Sequence, residues 1–409
     1  MKLIDQMRKG QKNLILGIKD NSLFNFMDLI RNYKPDKEIS HPKQFLNFSR
    51  SVDKYGTIWQ YLKRYQNIDY VKKRLKTDFP AMSTRLINGK SRDISDLIKQ
   101  GESYFEASKK SDLSIKPLIL YYGMLNLTKA LIIFADNKYT LKSKGFGKES
   151  LESHGLNIRV KSTNPSDLTI RNNNSDLISE FCYVQNSASI FKLLHACWSK
   201  NDLNKNMRFT VGDMLSMHPS SWKTYTSYCG QSPKLFLIDG GGFRTSTKYE
   251  HVIIFHSTTQ FPLYNQLPGE TAPQLLARLI PRLKKYYSEN PAHSFEYISK
   301  AAPRSLDEMV PNYRSIAGER YTLSDASTGS GGNIALSPIE VEFILLFIMG
   351  SLTRYIPQKW LGGIRYETSD QMYMLEAILN SVIISYPKMI LEEFEGEEYT
   401  FTGDVSYYS

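Results

Sequence analysis

Aromatic and basic side chains alternate between Tyr55 and Lys76. Apolar and aromatic residues recur there at the spacing of one helix face, namely Tyr55, Ile58, Trp59, Leu62 and Tyr65. The cations that follow or lie between these rings are Lys63, Arg64, Lys72, Lys73, Arg74 and Lys76. Rings that stack on bases beside cations that contact phosphates are typical of single-stranded nucleic acid binding, so these six cations are the candidate nucleic-acid contacts. The helical spacing favours an alternative, in which the rings face the core and the lysines face water.

The charge of the chain is concentrated near its start. The 409 residues carry a net charge of +11. Residues 1–150 hold 29 Lys and Arg against 15 Asp and Glu, a surplus of +14, whereas the remaining residues hold 23 against 26. Such asymmetry predicts attraction to a polyanion, most simply RNA or single-stranded DNA. A basic face that aids solubility or binds an acidic partner protein explains the same asymmetry.

Arg354, Trp360 and Asn126 form a second set of candidates. Pro357 is expected to end a long helix, and Arg354 lies in its last turn, where a cation complements the helix dipole. This structural role is favoured over a ligand or phosphate contact. Trp360 precedes two glycines and is expected to pack over a tight turn. Asn126 belongs to a stripe of small and polar residues, and we expect it to be a buried structural residue with a hydrogen-bond partner.

Other kinds of catalytic or binding site find little support. His251 and His256 are five residues apart on a predicted strand and point to opposite faces, while His195 and Cys197 lie in a helical pattern. We therefore expect no metal site and no cofactor. The glycines at 240–242 indicate a turn between two strands rather than a phosphate loop, because no Walker lysine follows them. No hydrolase elbow or kinase signature occurs.

The cysteine count and the apolar segments bear on location. Three cysteines without a CxxC pair are typical of a reducing compartment, and the first apolar run is interrupted by Asp5 and Arg8. The segment 115–135 contains Lys116 and Lys129, and 343–352 is only ten residues long. A spanning helix needs about 20 nearly uninterrupted apolar residues, so we expect buried core helices, no membrane association and a cytoplasmic protein.

The predicted fold is mainly α, a helical bundle with a small β-hairpin insertion. Helical patterns cover residues 94–135, 187–198, 211–215, 271–287, 339–355 and 372–394, strands cover 234–238 and 249–256, and 324–333 reads as a flexible loop. Four regions are expected: a basic N-terminal helical region (1–90), a central helical bundle (91–230), a β-hairpin insertion with a helix and the loop (231–333), and C-terminal helices packing on the bundle (334–409).

Three sequence blocks carry a family resemblance. They are GESYFEASKKSDLSIKPLILYYGMLNLTKALI at 101–132, ESHGL at 152–156, and SLTRYIPQKWLGG at 351–363 followed by ISYPKMILEEF at 384–394. In order and spacing they resemble the YaaC-like proteins. The resemblance implies a bacterial origin and a mainly helical protein. It implies no known reaction, because that family has no settled one.

The first two blocks are also similar to HEPN domains, many of which are metal-independent RNases that complete their site across a dimer. This resemblance implies a HEPN-like bundle in which His154 handles protons during attack by a 2′-hydroxyl. Where the HEPN motif has an arginine that steadies the phosphate, this chain has Lys148. Lysine lacks the planar fork of arginine, so the catalytic pair is in doubt. The alternative is a structural His154 that caps a helix or packs near Tyr121 or Tyr122.

Three hypotheses about function follow. The first is a nucleic-acid-associated bacterial protein, in phage defence, that binds a polyanion through its basic N-terminal third. The second is an RNase that uses His154, as a homodimer if the HEPN resemblance holds. The third is a non-enzymatic scaffold that binds a partner protein.

Overall fold

The chain folds as a mainly helical protein with small sheets at its sides. The computed structural model describes residues 45–49, 53–135, 151, 153–158, 176–185, 189–198, 203–231, 233–244, 249–255, 278, 296–299, 313–327, 333–365 and 371–402. The helices in these ranges are α1 (Lys54–Leu62), α2 (Ile68–Asp78), α3 (Thr84–Lys109), α4 (Lys116–Ala135), α5 (Ile190–Trp198), α6 (Val211–Met217), α7 (Trp222–Cys229), α8 (Pro338–Tyr355), α9 (Pro357–Gly363) and α10 (Gln371–Glu395).

Local sequence explains where several helices begin and end. The Ser83 hydroxyl accepts a hydrogen bond from a first-turn backbone N–H of α3. Helix α8 begins with a capping box between Ser337 and Glu340, with Pro338 at its first position. Pro357 opens α9 directly after α8 ends, as predicted from its ring, which cannot continue a helix.

Helix α4 is the centre of the bundle, as its all-round apolar sequence predicted. It packs on α3 through Gly101 and Gly123, where an added Cβ would lie 2.9 Å from Leu127 and from Phe105. It packs on α8 at Gly350, whose added Cβ would lie 3.1 Å from Tyr121. Close approach of the backbones at these glycines buries one face of α4 against each neighbour.

The strands in the described ranges form four sheets. Strands β2 (Leu156–Ile158), β3 (Phe181–Val184) and β4 (Arg208–Thr210) pair antiparallel, as do β10 (Ala326–Ser327) and β11 (Asn333–Ile334). A five-stranded sheet has the order β7-β6-β5-β9-β8, built from β5 (Leu235–Arg244), β6 (Tyr249–Phe255), β7 (Glu296–Ser299), β8 (Tyr313–Arg314) and β9 (Arg320–Leu323). Strand β1 (Phe45–Ser49) pairs in parallel with β12 (Glu398–Thr402).

Two sequence predictions near the five-stranded sheet are wrong in detail. The glycines at 240–242 do not form a turn but continue β5, where they pair with residues 251–253 of β6. The predicted hairpin is therefore present as β5 and β6 within a larger sheet. The predicted flexible loop at 324–333 includes β10 and the first residue of its antiparallel partner β11. The predicted helix at 271–287 lies outside the described residues except Arg278.

Helices α4 and α10 are long and apolar enough to cross a membrane by length and composition alone. Most of the apolar window of each is buried inside the protein, and core helices of soluble proteins meet the same criterion. Location in the cytoplasm stays a prediction.

Candidate nucleic-acid interface

Several of the six predicted cations bind groups of the protein itself. Lys63 pairs with Glu102 at 2.9 Å, and Lys72 pairs with Asp69 at 3.3 Å. Arg74 donates a hydrogen bond to the backbone carbonyl of Phe394 at 3.0 Å, at the end of α10. The guanidinium of Arg74 therefore fastens α2 to the C-terminal helix, and three of the predicted cations have a local partner.

The other three predicted cations are all exposed. Arg64 lies over the ring of Tyr61 at 4.4 Å, and Lys73 and Lys76 are exposed on α2. Residues 53–135 hold 15 basic and 8 acidic side chains, so the described part of the N-terminal third accounts for +7 of the +14 surplus. The six residues stay predicted nucleic-acid contacts, with Lys73 and Lys76 the most available to phosphates.

The rings between these cations do not face solvent. Trp59 is 2% exposed and packs on Phe105, while Tyr65 is fully buried and stacks on Phe394 at 4.5 Å. The core-facing alternative is therefore confirmed for these two rings, which are not available to bases.

A different group of rings surrounds Arg354. Its Nη1 donates a hydrogen bond to the hydroxyl of Tyr122 at 2.8 Å, and its guanidinium lies 5.1 Å from the ring of Tyr355. The ring of Tyr104 lies 5.8 Å from that of Tyr122 at an interplanar angle of 31°. Tyr104 is 38% exposed and Tyr355 is 61% exposed. We call Tyr104, Tyr122, Arg354 and Tyr355 the tyrosine–arginine surface.

Packing of the bundle brings the tyrosine–arginine surface together from three helices. Tyr104 lies on α3 beside the contact at Gly123, where an added Cβ would lie 3.1 Å from the Tyr104 Cβ. The end of α8, which carries Arg354, is followed by α9. There Trp360 is fully buried and donates from Nε1 to the carbonyl of Leu113 at 3.2 Å. Burial of Trp360 favours its structural interpretation and ties α9 to the turn between α3 and α4.

Asn126 lies on α4 one turn after Tyr122. It is half-buried rather than buried as expected. The close contact with α3 is made by Gly123, three residues earlier on the same face of α4. Asn126 stays a candidate one turn beyond Tyr122 of the tyrosine–arginine surface.

His154 is half-buried and packs on α8. Its ring lies 5.0 Å from that of Phe347, which in turn lies 5.9 Å from the ring of Tyr121. Phe347 precedes Arg354 by seven residues, about two helical turns, so both lie on one face of α8 about 10 Å apart. The predicted packing of His154 near Tyr121 is thus mediated by Phe347.

The environment of His154 favours a neutral imidazole. Burial lowers the pKa of His154, and a contact with the backbone of Leu156 offsets part of this effect. Its Nδ1 is buried without a hydrogen-bond partner among the described residues. Lys148 lies outside the described residues, so the pairing of His154 with Lys148 stays a prediction.

Metal ligands are not gathered in the described ranges, where no group of three or more His, Cys, Asp or Glu could hold an ion. His195, considered with Cys197 as a metal ligand, instead contacts Glu340 through Nδ1 at 2.6 Å.

The comparison with known families gives one match. A model described as YaaC-like Protein matches residues 59–394 of the 409. No curated protein and no solved structure matches the chain. The likeness to HEPN domains stays a prediction. The YaaC-like match covers most of the chain and includes the elements that form the tyrosine–arginine surface, so the chain belongs to the YaaC-like family.

Proposed function

We propose that this YaaC-like protein binds single-stranded nucleic acid and that the tyrosine–arginine surface is its base-stacking platform. The observation that carries the proposal is the contact of the exposed Arg354 guanidinium with Tyr122 and Tyr355, next to the ring of Tyr104, which packs on Tyr122. Flat rings and an arginine plane bind bases of any sequence, because every base has a π face.

The expected free energy of base stacking supports a binding mode that uses the rings as well as the surface charge. Stacking of one base on an aromatic side chain contributes about 1–3 kcal/mol. The basic N-terminal third then adds phosphate contacts through Lys73 and Lys76, which are exposed, whereas Lys63, Lys72 and Arg74 have local partners. We therefore assign affinity mainly to the rings and steering mainly to the basic residues.

The test is fluorescence anisotropy of labelled oligouridine and oligodeoxythymidine, each about 12 nucleotides long, within the range of known single-strand sites. Binding that saturates and weakens as salt rises is expected. Absence of binding to both oligonucleotides, with one protein co-purifying in stoichiometric amount, would favour the scaffold hypothesis instead. A role in phage defence stays a prediction that binding alone does not address.

RNA cleavage by His154 is the second candidate function. A neutral imidazole can accept the proton of a 2′-hydroxyl. His154 packs on Phe347, which lies about two helical turns from Arg354 on the same face of α8. Attack of the 2′-oxygen on phosphorus would release the 5′-oxygen and leave a cyclic phosphate. The proposal is tested by incubating labelled RNA without metal. Cleavage that His154→Ala leaves unchanged removes this assignment.

A further inference from the structure

Glu342 lies buried where α8, α10, β9 and the end of α6 meet. It is 2% exposed. Its Oε1 receives a hydrogen bond from His218 Nε2 at 3.1 Å and another from Ser385 Oγ at 2.5 Å. Tyr321 of β9 is also close, since the negative charge of Glu342 adds to the effect of burial in raising the Tyr321 pKa. These contacts hold Glu342 in place on the side of α8 away from the tyrosine–arginine surface.

His218 gives Glu342 a hydrogen bond but no positive charge. The backbone N–H of Ser220 donates to His218 Nδ1 at 3.2 Å. A ring nitrogen that accepts a hydrogen bond carries no proton, so the hydrogen-bond network assigns the proton to Nε2, which donates to Glu342. Ser385 is neutral as well. Lys388 on α10 is bound to Glu392.

The second oxygen of Glu342 is incompletely satisfied. Oε2 is buried and has no hydrogen-bond partner among the described residues. A buried carboxylate that has neither a positive partner nor a full set of donors is strongly destabilising. A positively charged group next to Oε2 would complete this arrangement.

Hydroxyl groups lie between solvent and Glu342. Ser220 is exposed, and its Oγ lies 2.8 Å from Oγ of Ser381. Oγ of Ser385, one turn further along α10, lies 3.1 Å from the Ser381 carbonyl oxygen and donates its hydrogen bond to Glu342. Oxygen atoms of this kind are ligands for hard cations and hydrogen-bond acceptors for ammonium groups.

We propose that Glu342 binds a single positive charge, supplied by a monovalent metal ion or by the ammonium group of a small amine, which enters past Ser220 and Ser385. A divalent ion is disfavoured, because in the described ranges Glu342 belongs to no group of three or more His, Cys, Asp or Glu side chains that could hold one. The positive charge completes the coordination of Oε2 and links α8, α10 and α6 at one point.

Thermal unfolding of the full chain tests this proposal in five chloride salts at equal concentration, on the order of 0.1 M so that screening is the same. The cations are potassium, sodium, ammonium, methylammonium and, as a reference too bulky for the site, tetramethylammonium. We expect Tm to rise by about 2 °C or more in at least one small cation relative to the reference. A rise in potassium or sodium identifies a metal ion, and a rise limited to ammonium or methylammonium identifies an amine.

Glu342→Gln should remove the difference in Tm between the small cations and tetramethylammonium. Glu376→Gln, which changes a half-buried acid on α10, should keep that difference. Equal Tm values of the natural chain in all five salts would overturn the proposal, and so would an undiminished difference in Glu342→Gln. Should Glu342→Gln fail to fold, Ser385→Ala takes its place, because it removes one hydroxyl and leaves the carboxylate. An unchanged cation effect in Ser385→Ala then overturns the proposal.

Discussion

The guanidinium of Arg354 and the hydroxyl of Tyr122 are joined by a hydrogen bond of 2.8 Å, although 232 residues separate them along the chain. The bond connects the last turn of α8 to the second turn of α4 and leaves Arg354 exposed. Because an arginine has five N–H donors in a plane, one bond to Tyr122 fixes the orientation of the group without using up its capacity to bind a ligand.

Tyr355→Ala should weaken binding of single-stranded nucleic acid by about 5- to 150-fold, the equivalent of losing one stacked base. Tyr355 is 61% exposed, so its removal should leave Tm nearly unchanged. Tyr228→Ala is the matched control, since Tyr228 is 49% exposed on α7. Anisotropy titrations of the two variants measure the difference, and equal affinities would argue against stacking on Tyr355.

Substitutions of Arg354 should separate its charge from its planar shape. Arg354→Lys keeps the charge, so the dependence of log affinity on log salt should be unchanged while affinity falls. Arg354→Gln should also reduce the steepness of that salt dependence by about 0.7, the loss of one phosphate contact on a single strand. Titrations at four salt concentrations distinguish the two effects. Natural affinity in Arg354→Lys would mean that only charge matters at this position.

Arg74 and Lys73 should respond differently although they are neighbours. Arg74→Met removes the hydrogen bond to the Phe394 carbonyl and should cost about 1–3 kcal/mol of unfolding free energy. Lys73→Met changes an exposed side chain, so stability should stay within about 0.5 kcal/mol. Urea denaturation gives both values. In binding assays we expect Lys73→Met to have the larger effect of the two, because it should reduce the dependence of nucleic-acid affinity on salt. An unchanged salt dependence of affinity in Lys73→Met would remove Lys73 from the interface.

His154 should make stability depend on pH. Burial lowers its pKa below the 6.5 expected in the unfolded chain. The unfolded state therefore binds more protons than the folded state in the interval below 6.5, and stability falls as pH falls through that interval. Urea midpoints at about pH 5.5 and 7.5 should differ less for His154→Gln than for the natural chain. Identical differences in both proteins would show that His154 titrates normally in the folded state.

Two glycines of the α3–α4 hairpin provide a matched pair for stability. Gly123→Ala places a methyl group 2.9 Å from Phe105 and should destabilise the fold by about 1–3 kcal/mol through overpacking. Gly89→Ala meets no atom within 4 Å and should stabilise α3 by about 0.5–1 kcal/mol through helix propensity. Chemical denaturation measures the free energy of unfolding, which should fall in Gly123→Ala and rise in Gly89→Ala. Stabilisation by Gly123→Ala would mean that α3 and α4 can separate without cost.

Local patterns in the sequence predicted much of the helical fold. The all-round apolar sequence of α4 indicated a central helix, and the spacing of Trp59 and Tyr65 indicated rings that face the core, because burial follows helical periodicity. The glycines at 240–242 were misread as a turn. Their extended conformation comes from pairing with β6, a non-local interaction that outweighs the weak strand preference of glycine.

The tyrosine–arginine surface was only partly predictable. Arg354 was identified from the proline that ends its helix, which is a local signal. The positions of Tyr104 and Tyr122 beside it depend on how closely α3, α4 and α8 approach at Gly123 and Gly350. Sequence spacing within one helix carries no information about such distances between helices, so Tyr104, Tyr122 and Tyr355 were missed as a surface.

The parallel pairing of β1 with β12 has a consequence for how the chain is made. Glu398 follows its partner Phe45 by 353 residues, so among the described residues β1 finds its partner strand only after nearly all of them have left the ribosome. Contacts of such long sequence separation form slowly. The segment that includes Phe45 therefore stays unpaired with β12 while the helices are synthesised. A nascent chain halted before residue 398 would expose an unpaired strand edge to other chains.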